Sequence, residues 1–257
     1  MKSATESEPV AEKVVQFLVC PQIDFIGTEQ ELRASRETHA DGAQRAEGAP
    51  QASLLHVGWE AVKKLRGDNG EPDLFVETVS ALFNDKIEGT NRIFTILDED
   101  WHPKSCAEFE QFGTHCVKGS AGARLPEKIE EFRWHRRMHV IRANSINIAT
   151  SKDYGEVLKK VCGDTKNPRI KAGVIGVWTH VKVDYLLLNL QTHWPCFKPG
   201  QLAVCEPLCA SPNRDAHNAA INKFRDFDIK VYDDVQRYLA EWLALDIQLA
   251  QQAAPRK

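Results

Sequence analysis

Short apolar blocks alternate with amphipathic stretches along most of the chain. Residues 14–19 (VVQFLV) form a run of strand length rich in β-branched side chains, entered from a polar segment and left through Cys20 and Pro21. Such a run reads as a strand buried on both faces. Helical spacing of apolar positions follows at 56–65 and 72–84, the latter after an Asp-Asn-Gly-Glu-Pro turn, and RIFTIL at 92–97 reads as a second strand. Further strand-like runs lie at 138–141, Ile170–Val177, 202–205 and 229–233, with helical patterns at 152–161, 180–189, 215–225 and 235–249. Two stretches carry neither period. One, at about 35–53, is small, polar and interrupted by Gly42, Gly48 and Pro50, and reads as a flexible inserted loop. The other, 98–126, is a long connection dense in Asp, His, Cys, Gly and aromatic residues, and connections of this length in compact domains usually carry function.

Strands alternating with helices predict an α/β fold, a doubly wound and mainly parallel sheet of about six strands with helices on both faces. The expected organisation is one domain over 13–250, with tails at 1–12 and 251–257. Ligands of such sheets sit outside the carboxyl ends of the strands. Cys20, the segment after Leu97, Arg142 and the residues after Val177 are therefore expected to converge on one crevice.

Composition narrows the partners. The 257 residues include 33 Lys+Arg and 36 Asp+Glu, a balance with no electrostatic signature for nucleic acid or for an anionic membrane surface. No stretch approaches the roughly 20 apolar residues of a membrane span. The start, MKSATESEPVAEK, resembles neither a signal peptide nor a transit peptide. Seven cysteines without a C-x-x-C pair read as free thiols, which together with the missing leader predicts a cytoplasmic location.

The long connection holds the candidate chemistry. Asp100 and His102, two apart at a strand end, point the same way, and His115 lies thirteen residues beyond His102. One carboxylate and two imidazoles form a three-ligand set for a divalent ion with open coordination positions. Spacing alone leaves a second reading open, in which these are surface or capping residues.

The connection TILDEDWHPKSCAEFEQFGTHCVKGSAGARLP resembles the nicotinamidases and related isochorismatase-like hydrolases, whose pattern runs D-W-H-P, an S/E-F pair, then H-C-V-x-G-T/S-x-G-A. Asp100, His102, Glu108, Phe109, His115, Cys116, Val117, Gly119, Ser120, Gly122 and Ala123 stand in that pattern. VCPQIDF at 19–25 resembles the family's V-D-x-Q-x-D-F, and GVWTHVKV at 176–183 its G-x-x-T-x-x-C-V. The resemblance implies the isochorismatase-like hydrolase fold, a homo-oligomer, a small-molecule substrate, and a metal, often zinc, held by Asp100, His102 and His115. It also implies a Cys-Asp-Lys triad for covalent catalysis.

This chain departs from the family at the triad. Cys20 stands in place of the Asp, with Asp24 matching the second acid of that motif; Arg142 stands for the Lys, and Lys182 for the nucleophilic Cys at the start of a helix. A helix start stabilises a thiolate, and a protonated amine there is no nucleophile. The expectation is a pseudoenzyme or binding module that keeps the metal and the pocket, with Lys182 and Arg142 drawing an anionic ligand. Asp24, Trp101, Trp178 and Thr179 are expected to line that pocket. The alternative is a metal-dependent hydrolase of a small amide or related substrate in which Cys20, its pKa depressed by the two cations, is a displaced nucleophile.

Overall fold

The computed structural model describes residues 13–37, 55–67, 71–163 and 170–247. Six parallel strands form one sheet in the order β3-β2-β1-β4-β5-β6. They are β1 (Lys13–Val19), β2 (Ile93–Asp100), β3 (Met138–Ala143), β4 (Ile170–Val177), β5 (Leu202–Ala210) and β6 (Lys230–Tyr232). Between them run α1 (Ile23–Ile26), α2 (Glu29–Glu37), α3 (Trp59–Arg66), α4 (Leu74–Phe83), α5 (Glu108–Phe112), α6 (Glu127–Glu130), α7 (Tyr154–Cys162), α8 (Asp184–His193) and α9 (Arg214–Asp226). A short α10 (Val235–Arg237) follows β6. This is the doubly wound α/β sheet that the alternating pattern predicts. None of the described helices is long and apolar enough to cross a membrane.

The central strands are apolar throughout because a parallel sheet is covered on both faces. Val14, Val15, Phe17, Leu18 and Val19 of β1 and Val174, Ile175 and Val177 of β4 are all buried. Caps set several helix starts: Asp73 accepts from Val76 N at 3.0 Å before α4, and Asn213 from Ala216 N at 3.0 Å before α9. The chain builds outward from β1 to β2 and β3, then crosses to β4 on the other side of β1. The carboxyl ends of β1 and β4 thus flank the switch point where such sheets open a crevice.

Four segments differ from the sequence expectation. Strand β2 does not stop at Leu97 but continues through Asp98, Glu99 and Asp100, which pair with Ile141, Arg142 and Ala143 of β3; backbone pairing and burial override the acidic side chains. The connection beyond it is not wholly irregular, since it contains α5. The helix expected over 180–189 is preceded by one wider, π-type turn, Thr179–Val183, and runs on to His193. The expected terminal helix over 235–249 breaks early. After α10 a second wide turn, Tyr238–Trp242, ends where Ala244 adopts φ 50° and the Arg92 guanidinium takes the carbonyls of Leu243 and Ala244 at 3.3 and 3.2 Å. The expected loop at 35–53 lies outside the described residues except 35–37, which belong to α2, and both expected tails lie outside them too.

The C-terminal segment locks onto the sheet through Gly173. A Cβ there would sit 1.8 Å from the Tyr238 hydroxyl, so glycine is what lets that ring reach β1. The hydroxyl donates to Gln16 Oε1 at 2.5 Å, and both side chains are fully buried. Replacing Tyr238 with Phe strands a buried acceptor. The expected loss is about 1–3 kcal/mol, read as a lower urea midpoint with an unchanged slope.

Candidate metal centre and adjoining pocket

Asp100 ends β2 with its carboxylate inside the protein, and its backbone is gripped from β1's exit. Gln22 donates to Asp100 O at 2.8 Å and accepts from Asp100 N at 2.8 Å, while also donating to Ala123 O at 3.0 Å. One amide side chain thereby ties the end of β2 to the loop that returns from the 98–126 connection. That loop is braced again by Asp24, whose Oδ2 accepts from Cys116 N at 2.7 Å. Gly122 packs against the same carboxylate so closely that a Cβ would lie 2.1 Å from Asp24 Oδ1. His102 and His115 are brought together by this frame, with ring centroids 4.5 Å apart.

Asp100, His102 and His115 are all fully buried or nearly so, and their ligand atoms lie within 4.8 Å of one another. Asp100 Oδ2 is 3.6 Å from His102 Nε2 and 3.7 Å from His115 Nε2, beyond hydrogen-bond distance. None of these three atoms has a hydrogen-bond partner among the described residues. Three buried polar atoms left unpaired and facing one point are costly unless something fills it, and one carboxylate oxygen with two imidazole nitrogens suits a divalent ion. His115 Nδ1 donates to Gly113 O at 2.8 Å, which leaves Nε2 as the lone-pair nitrogen. Burial pushes the His115 pKa down, keeping the ring neutral, as a ligand must be. Glu108 Oε1 lies 3.9 Å from His115 Nε2 and forms, with His102 and Cys106, a second group of donor atoms within 4.8 Å of one another. In the sequence pattern Glu108 is a matching position with no ligand role.

Lys182 meets the other oxygen of the same carboxylate. Its Nζ donates to Asp100 Oδ1 in a short contact and lies 3.4 Å from Ser145 O. Burial alone would lower the ammonium's pKa, but Asp100, Cys20 and Asp98 around it hold it well above the ordinary lysine value. Reciprocally, burial alone would raise Asp100, and Lys182 holds it below the usual carboxylate range. The pair is therefore ionised, a cation and an anion compensating each other without solvent.

Cys20 is buried beside this pair at the end of β1, in a left-handed conformation with φ 45°. Burial pushes its thiol well above the usual range, reinforced by Asp100, and the lowering influence of Lys182 is weaker. The depressed pKa required of a displaced nucleophile does not arise, because burial and Asp100 outweigh the one cation that reaches it. Arg142 is the residue that stays away. Its Nε pairs with Glu99 Oε2 at 3.2 Å, its guanidinium lies 4.2 Å from the Trp101 ring centroid, and it is largely exposed. Register explains this: Asp100 pairs with Ala143, while Arg142 pairs with Glu99, and alternate residues of a strand face opposite sides. The β3 residue on the crevice side is Ala143. Asp98, which the sequence reading left without a role, is a buried neighbour on the crevice side of β2, its carboxyl pushed up by burial to about 7.

A small space of about 20 Å³, room for about one water-sized group, adjoins the pair. Phe25, Leu55, Phe112, Ile146, Trp178 and Val181 form its apolar wall, and Asp100, Glu108 and Lys182 its polar end. Of the four expected pocket residues, only Trp178 lines it, held by a hydrogen bond from Nε1 to Leu55 O at 2.8 Å. Asp24 braces the metal loop instead, Trp101 lies under Arg142, and Thr179 is buried with its hydroxyl 2.9 Å from His217 Nδ1.

No protein-family model matches the sequence, and no curated protein matches it significantly. Solved structures do match. A nicotinamidase/pyrazinamidase from Bacillus subtilis superposes with a TM-score of 0.60 at 15% identity, over 86% of this chain and 100% of that one. An isochorismatase-like hydrolase from Alkaliphilus metalliredigens gives 0.58 at 18% identity, over 90% and 99%. The fold is that of the isochorismatase-like hydrolases. A pyrazinamidase of Pyrococcus horikoshii in complex with zinc gives 0.55 at 16% identity, over 86% and 99%.

Two outcomes follow. Gln22→Met unpairs the backbone of Asp100 and the carbonyl of Ala123 in the interior, so urea unfolding should show a loss of at least about 2 kcal/mol. In the folded chain, peptide-mapped alkylation should leave Cys20 unlabelled from pH 6 to 9, with labelling appearing only on unfolding.

Proposed function

We propose that this chain is an isochorismatase-like protein that retains a divalent-metal centre and a small-molecule pocket but has lost the Cys-Asp-Lys route of amide hydrolysis. The observation that carries this reading is Lys182. It occupies the helix-start position where the resemblance puts the nucleophilic thiol, and its ammonium is committed to Asp100.

The chemistry of the remaining groups supports it. A protonated amine cannot attack a carbonyl. Cys20 is buried and pushed towards the thiol form, which speaks against the rearranged hydrolase. Arg142, which stands for the family's Lys in the sequence resemblance, faces Glu99, and the crevice-side residue of β3 is Ala143. The aromatic faces of Phe25, Phe112 and Trp178 border a space of about 20 Å³, so a ring-sized ligand would enter only as these side chains move apart. At the polar end the Lys182 ammonium, paired with Asp100, is a donor that a ligand's acceptor atom would meet.

Asp100 Oδ2, His102 Nε2 and His115 Nε2 would hold the ion, and one carboxylate with two imidazoles is a set that zinc accepts, as iron(II) does. When bound, such an ion supplies a Lewis acid for an oxygen of the ligand. The proposal extends to a cytoplasmic protein that self-associates; all seven thiols are free, in keeping with a reducing compartment.

The test has two arms. Purified protein equilibrated with zinc and desalted should retain about one ion per chain by elemental analysis, and Asp100→Ala and His115→Ala should not. Ammonia release from nicotinamide and pyrazinamide by the zinc-loaded chain should stay at the no-protein rate. Equal metal content in wild type and both variants overturns the centre, and enzymatic ammonia release overturns the loss of the amidase route.

A further inference from the structure

The centre carries a cation of its own. Asp100 has two oxygens, and they are divided: Oδ1 receives the Lys182 ammonium, while Oδ2 faces the two imidazole nitrogens. Everything around this carboxylate is dry, with Asp100, His102 and His115 at most 1% exposed and Lys182 6%. Charges at such separations in a poorly solvated site interact far more strongly than in water.

We propose that Lys182 is an internal competitor of the divalent ion, an affinity-setting residue that satisfies Asp100 when the centre holds no metal and weakens binding when a metal enters. The inference rests on the metal reading above. Two physical consequences support it. A metal ion and the ammonium share one carboxylate, so each diminishes the negative charge available to the other. The ammonium also occupies the oxygen that a bidentate carboxylate would use, leaving the ion a single one. Conversely, the pair leaves Asp100 compensated without metal, so the fold does not depend on the ion as small zinc domains do.

Lys182 is held in this position by its burial and by two acceptors. It sits in the turn Thr179–Val183, where Thr179, Lys182 and Val183 are all buried, and its ammonium reaches a second acceptor at Ser145 O. The cation is built into the wall of the centre, and the ion has to bind beside it.

The experiment measures the zinc Kd by competition with a chromophoric chelator at pH 8, where protons compete least for the ligands. Wild type, Lys182→Met and Lys182→Gln are compared, each with melting curves recorded with and without zinc. Lys182→Met should bind zinc at least about tenfold more tightly than wild type. Its Tm without metal should fall, because Asp100 is left buried and unpaired, and zinc should raise it by more than it raises the wild-type Tm. Lys182→Gln, which keeps a neutral donor for Oδ1, should remain folded without metal and also bind more tightly than wild type. If wild type binds zinc and neither variant binds it more tightly, the competition is wrong and the metal reading stands. If none of the three chains binds zinc, the metal reading itself fails and takes this inference with it. Should Lys182→Met not fold, Lys182→Gln alone decides.

Discussion

A carboxylate with no access to water has to be compensated by groups in direct contact with it, and Asp100 is such a carboxylate. The surrounding architecture answers that demand atom by atom. Gln22 satisfies its backbone, Lys182 neutralises Oδ1, and Oδ2 faces the nitrogens of His102 and His115. These partners come from the exit of β1, the turn after β4 and the long connection after β2. The requirement at one atom group thus holds together three crossovers of the sheet where its winding reverses.

The pocket inherits its character from the same arrangement. Its polar end is the Asp100–Lys182 ion pair with the Glu108 carboxyl beside it, and its walls are aromatic and aliphatic. The sequence suggested a more cationic site, with Arg142 beside Lys182. The structure leaves a single ammonium there, and it is paired with Asp100. The same enclosure keeps the Cys20 thiol protonated. Desolvation acts on each group according to its charge, raising the thiol while the facing charges keep Asp100 and Lys182 ionised.

Much of this was legible in the residue order. Strand-length apolar runs and intervening helical periods anticipate the sheet, and D-x-H with a later H-C-V anticipates the cluster of Asp100, His102 and His115. Other features were not legible, for identifiable reasons. The acidic end of β2 looks like a loop because hydrophobicity stops at Leu97, yet ladder pairing to β3 continues to Asp100. The side that Arg142 faces depends on a register offset of one residue, and periodicity does not fix which of two neighbours points inward. The early end of the terminal helix depends on Arg92, far away in sequence, capturing its last carbonyls.

By itself, the sequence determined the alternating elements, the parallel sheet they must form and the chemical types available at the strand ends, because those follow from local periodicity and composition. Only the tertiary structure decided which of those groups share a charge environment. It set Lys182 against Asp100, turned Arg142 outward to Glu99 and buried Cys20 away from the second cation. Protonation and reactivity depend on distances of a few ångström and on the exclusion of water, and neither quantity is encoded at any single position of the chain.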